Sequence, residues 1–153
     1  MKHVWSILCE KSSIDNESNL LSLFSCLEEI SVVIDKDKMP EKGKKMLIPA
    51  NFQLVSYYTV DNTEQENKLE TKVELVSPDG ETLNQFNNTF TVKPGVSRFR
   101  NRANISGVPV YGEGRYFIKI YQQVEGDLKL RAELPIDIKI SYKLLDKNQI
   151  NKK

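Results

Sequence analysis

The chain has 153 residues, with 22 Lys and Arg against 21 Asp and Glu, 39% hydrophobic residues, two cysteines and one histidine. A chain of about 150 residues can bury roughly 70% of the surface it exposes when unfolded, so one core suffices without metals or a disulfide framework. A net charge of +1 supplies no long-range field toward nucleic acid or an anionic membrane, so any such contact has to come from a local patch.

Alternation at period 2 is the strongest pattern along the chain, and no helical period persists long enough to predict a helix. His3, Trp5, Ile7 and Cys9 alternate with Val4, Ser6, Leu8 and Glu10. After a polar loop from Lys11 to Asn19, the run Leu20 to Ile34 resumes as strand, and the two are expected to pair as an opening hairpin. That run is the richest apolar stretch, but Ser22, Ser25, Glu28, Glu29 and Ser31 interrupt it, so it falls short of the roughly 20 apolar residues of a membrane helix. Met46, Ile48, Ala50, Phe52 and Leu54 share one face of the next strand, which continues to Tyr58 before a polar loop from Asp61 to Lys68. Leu69, Thr71, Val73 and Leu75 alternate with charged residues up to Ser77-Pro78-Asp79-Gly80, a turn that leads into a strand over Thr82 to Val92. Strands over Val96 to Ile105 and Arg115 to Val124 follow, separated by glycine-bearing breaks. In the last third, Leu128, Leu130, Ala132, Leu134, Ile136, Ile138, Ile140 and Tyr142 fall on one face. Pro135 lacks the N–H a central ladder needs, so this stretch is either an edge strand or two strands meeting at a bend.

About eight short strands predict an all-β fold, an antiparallel β-sandwich. Residues 1–143 form one domain in this reading, and residues 144–153 a flexible C-terminal tail. Gly114-Arg115-Tyr116-Phe117-Ile118 resembles the tyrosine corner of immunoglobulin-like domains, with Ile118 where antibodies place a cysteine; the sandwich is therefore immunoglobulin-like or a related Greek key. Over residues 3–142, Ser6-Ile7-Leu8-Cys9-Glu10, Leu21-Ser22-Leu23-Phe24, a Gly107-Val108-Pro109-Val110 turn, Gly114-Arg115-Tyr116 and Ala132-Glu133-Leu134-Pro135-Ile136 resemble a bacterial family of small all-β proteins of unknown function. The resemblance implies a bacterial or phage source and a sandwich, and carries over no catalytic residue.

The sequence offers little for chemistry. Val4 to Cys9 is too short and mixed for a signal-peptide apolar region, so the mature protein is expected to begin at Met1, in the cytoplasm, with Cys9 and Cys26 buried and reduced. A nucleophile needs a base, and His3 is the single histidine; Cys9 lies about 20 Å from it along a strand, while Cys26 can approach it only if the hairpin register allows. No metal-ligand spacing occurs, and the lysines around Asp35-Lys36-Asp37 oppose a hard cation. The pairs Glu28-Glu29 and Glu70 with Glu74 are ordinary outward carboxylates of strands. No phosphate-binding glycine loop is present, and neither a cofactor nor a metal is expected.

Two constellations remain. Arg98, Arg100 and Arg102 stand on one face of a strand about 7 Å apart, suited to an acidic protein or a phosphate backbone unless Glu70, Glu74 or Glu113 pairs with them across strands. The aromatic set Tyr57, Tyr58, Tyr111, Phe117 and Tyr121 includes Phe117 and Tyr121 on one strand face, a candidate exposed patch. The expected function is a non-enzymatic module that binds another protein through a sheet face bearing these residues or through an edge strand. The alternatives are a self-associating structural subunit of a bacterial or phage assembly and nucleic-acid-backbone binding through the arginine stripe.

Overall fold

Every predicted strand has to find a neighbour for its backbone N–H and C=O groups. The computed structural model, which describes residues 1–35 and 43–143, supplies two sheets for them. In chain order the strands are β1 (Lys2–Ile14), β2 (Leu21–Cys26), β3 (Glu29–Asp35), β4 (Met46–Thr59), β5 (Asn67–Val76), β6 (Thr82–Val92), β7 (Arg98–Val110), β8 (Gly114–Val124) and β9 (Asp127–Lys143). Sheet A has the order β2-β1-β4-β7 and sheet B the order β3-β9-β8-β5-β6. All neighbours are antiparallel except β3 and β9. The expected tail from Leu144, and the charged loop beyond Asp35, lie outside the described residues.

Side chains from both sheets meet in one core, which makes the arrangement compatible with a β-sandwich. Leu8, Ile48, Phe52, Leu54, Val108 and Val110 come from sheet A, and Val73, Tyr116, Ile118, Ile120, Ile136, Ile138 and Ile140 from sheet B. Each of these large apolar side chains contributes about 1.5–3 kcal/mol on burial.

The opening apolar run departs from the expectation of a single strand. Leu27 N donates to Leu8 O at 2.9 Å, closing sheet A, and Asp137 N donates to Glu28 O at 2.9 Å, opening sheet B. The chain thus crosses between sheets over two residues, and β3 enters parallel to β9. Pro135 fits that geometry. Alternate N–H groups of a strand point to opposite sides, so position 135 faces the same side as the Asp137 amide. β3 pairs only from Asp137 onward, which leaves Pro135 on an open edge where its missing N–H costs nothing.

Three interruptions of alternation re-aim side chains. In β1 the extra residue Val4 puts His3 opposite the core residue Tyr58, while Trp5 lies opposite Tyr57 on the outer face. His3 and Cys9 therefore do not share a face as their spacing suggests. In β9 the extra residue Arg131 puts Leu130 opposite Tyr121 and Leu128 opposite Gln123. Both leucines leave the core face and stand 49% exposed. In β7 the Gly107-Val108-Pro109-Val110 segment is strand rather than turn, and Gly107, at φ +76°, shifts the alternation. Arg98, Arg100 and Arg102 accordingly face outward while Val108 and Val110, of the same parity, face the core.

The expected corner at Tyr116 is built as its spacing implies. Tyr116, 1% exposed, donates its hydroxyl to Gly112 O at 3.0 Å and accepts from Tyr111 N at 3.1 Å. Gly114 has φ +147°, and a Cβ there would stand 2.8 Å from Pro78 Cγ, so the glycine is required by close approach. Tyr116→Phe should lower unfolding stability by about 1–3 kcal/mol, because it removes two part-buried hydrogen bonds at once; urea denaturation reads the loss directly.

Candidate functional site

The outer face of sheet A carries the arginines. Trp5, Tyr57 and Arg100 occupy one cross-strand row on β1, β4 and β7, with the Trp5 and Tyr57 ring centroids 5.6 Å apart. The far half of the β1–β2 hairpin folds back across this face. Ser12 donates from its amide (2.8 Å) and its hydroxyl (2.6 Å) to Gln53 Oε1, on the outer side of β4. At the hairpin tip, Asn19 receives two hydrogen bonds from Arg100 Nη1, one on its backbone O and one on Oδ1, both at 3.1 Å. Asn19 is in the left-handed region at φ 54°, as is Ser25 at φ 51° where β2 bends; asparagine tolerates that conformation better than most side chains. The arm and the sheet together enclose an open groove of about 280 Å³, walled by Trp5, Tyr57, Leu21 and Leu23, with Arg98 and Arg100 at one end.

The arginine stripe is therefore split in its use. Arg100 clamps the hairpin, while Arg98 and Arg102, both exposed, have no carboxylate partner among the described residues. The acidic neighbours considered for them are occupied elsewhere. Glu70 pairs with Lys68 and Glu74 with Lys72, on the other sheet, and Glu113 Oε1 accepts from Ile140 N at 2.7 Å. Carboxylates for the arginines have to come from outside this set.

Phe117 and Tyr121 are not part of this surface. They face outward from sheet B, where Phe117 lies in a cross-strand row with Val76 and Pro135, and Tyr121 lies between Lys72 and Leu130. Lys72 Nζ stands 5.9 Å from the centre of the Tyr121 ring. The surrounding charges are matched in pairs: Lys72 with Glu74, Lys119 with Glu133, and Arg115 with Asp137 through two hydrogen bonds of 2.8 and 2.9 Å. Such surface pairs contribute little to stability, about 0–1 kcal/mol each where exposed, but they neutralise the face. Of the other aromatics, Tyr58 is core and Tyr111 donates its hydroxyl to Glu81.

Cys9 is buried as expected, whereas Cys26 is not. Cys26 stands opposite Cys9 across the β1–β2 ladder, not near His3, and it is exposed while Cys9 is buried. Burial and, secondarily, the neighbouring Cys26 raise the Cys9 thiol pKa, against a weaker lowering by a hydrogen bond from the Lys11 backbone. His3 finds a partner that its spacing in the sequence does not suggest, because the Val4 bulge turns its ring inward. His3 Nε2 lies 2.8 Å from Ser6 Oγ, which lies 2.8 Å from Ser56 Oγ. Burial and, secondarily, the positive charge of Arg131 push the His3 pKa down. A cation near the ring opposes the imidazolium that a Ser–His pair has to form; His3, Ser6 and Ser56 form a part-buried hydrogen-bond chain.

Among the described residues, no three His, Cys, Asp or Glu side chains converge on one point, and no helix is long and apolar enough to cross a membrane. No protein-family model matches the chain, and neither does any curated protein.

Two measurements test this geometry. Arg100→Ala should release the arm, exposing the single tryptophan and reducing amide protection across Leu21–Leu23, at a global cost of about 0.5–1.5 kcal/mol; emission wavelength and hydrogen exchange check it. The His3 pKa is lowered from 6.5 in the folded protein, so the unfolded chain binds more protons as pH falls through that value, and stability declines with acidification. That slope, read by denaturation between about pH 7 and about pH 5.5, should flatten in His3→Gln.

Proposed function

We propose that this chain is a non-enzymatic binding module of immunoglobulin-like sandwich type, which captures an acidic segment of another protein, one that also carries an apolar side chain, in the groove of sheet A. The observation that carries the reading is the pair Arg98 and Arg102. Both are exposed arginines without carboxylate partners among the described residues; Arg98 lines the aromatic and leucine-walled groove, and Arg102 stands on the same face beyond the Arg100 clamp. Arginine beside tryptophan and tyrosine is the composition that dominates protein-binding hot spots, and the groove walls give an apolar side chain somewhere to lie while its carboxylates meet the guanidinium groups. The Tyr116 corner supports the immunoglobulin-like assignment. Free thiols at Cys9 and Cys26 fit a reducing compartment such as the cytoplasm of a bacterial cell.

A sheet face is favoured over an edge at the β1 and β9 sides. The open stretch of β1 carries the Val4 bulge, and the open stretch of β9 carries both the Arg131 bulge and Pro135. Bulges and edge proline are devices that discourage strand addition.

The test compares wild type with Arg98→Glu/Arg102→Glu, leaving Arg100 to hold the arm. Because Trp5 is the sole tryptophan, titration with acidic peptides bearing an aromatic residue should change its emission in wild type, and the double variant should weaken the response by roughly tenfold or more. An unchanged affinity in the double variant removes the reading. A single-stranded oligonucleotide in the same titration, binding with a salt slope of about −1.4 for two phosphate contacts, would instead assign the face to nucleic acid.

A further inference from the structure

The four terminal strands of the two sheets differ in how they are protected. β2 is six residues long and bent at Ser25, β3 carries Glu29 and Asp35 at its ends, and β7 carries the three arginines. β6, the last strand of sheet B, is different. From Thr82 to Val92 it contains no charged residue and no proline, and beyond the extra residue Leu83 its ladder with β5 runs without a bulge from Asn84 to Val92. Unprotected edges of this kind are templates for a further strand.

Its open side can be identified. The Gln85 amide donates to the neighbouring Asn84 Oδ1 at 2.9 Å rather than into the β5 ladder. By alternation, residues 87, 89 and 91 direct their backbone groups away from β5. Their side chains, Asn87, Thr89 and Thr91, are exposed on the outer face.

We propose that two copies of this chain associate through β6, antiparallel about a two-fold axis, joining two five-stranded sheets into one continuous sheet. A second copy is the occupant because this strand suits its own sequence. A strand paired with its own copy places like side chains opposite or nearly opposite each other, which arginine-bearing β7 cannot accept without repulsion. The Asn and Thr side chains of β6 are uncharged and both donate and accept hydrogen bonds. The proposal does not involve the sheet A groove and stands or falls separately from it.

Sedimentation equilibrium of the full chain, from low micromolar to a few hundred micromolar, should show reversible dimerisation. Asn87→Lys/Thr89→Lys should weaken it by roughly tenfold or more, since lysines then face lysines across the axis, with the far-UV dichroism unchanged. Mixing that variant with Asn87→Glu/Thr89→Glu should restore a dimer of one copy of each. If the lysine variant fails to fold, Thr89→Pro decides in its place, because the ring removes only an N–H on the open side. A wild-type chain that stays monomeric throughout, variants that dimerise as tightly as wild type, or a mixture that does not pair would each overturn the proposal.

Discussion

Strict alternation cannot be carried far along a twisted strand, and this molecule depends on where it is broken. Typical strands have about five or six residues, whereas β1, β4, β7 and β9 have 13, 14, 13 and 17. Twist accumulates over such lengths, and an interruption of the ladder bends the strand and turns every later side chain to the other face. Val4 sends Trp5 outward and His3 inward. Gly107 lets one strand present arginines to solvent and valines to the core. Arg131 moves two leucines out beside Tyr121.

The same breaks divide the electrostatics between the two sheets. On sheet B, lysines and glutamates sit in facing or adjacent positions and cancel locally, so that face has little unmatched charge. On sheet A the arginines fall on the outermost strand, with β4 on one side and no strand on the other. One of them is spent on a backbone carbonyl and an amide oxygen of the hairpin tip, a neutral partner that leaves the positive charge in place. An aromatic groove with unmatched guanidinium groups beside it is thus a consequence of strand order, not of overall charge.

Edge protection follows a similar logic. The sides where β2 and β3 leave their longer neighbours half unpaired carry bulges and Pro135, which keep foreign strands away. β6 carries none of these beyond Leu83, and its ladder to β5 is regular from Asn84 to Val92. A sheet with one guarded side and one plain side is asymmetric in what can be added to it.

The sequence by itself determined the all-β class, the positions of most strands, the Ser77-Pro78-Asp79-Gly80 hairpin and the Tyr116 corner, because alternation and turn chemistry are local and each is written within a few residues. It also marked Arg98, Arg100 and Arg102 as sharing one face, since no break falls between them. Only the tertiary structure decided that Leu20 to Ile34 is divided between two sheets, that His3 meets Ser6, that Cys26 faces Cys9 in the open, and that Phe117 and Tyr121 lie on a different surface from the arginines. Each of those depends on a bulge or on which strands become neighbours, and both are set by long-range packing and sheet twist, which a period of two residues does not encode.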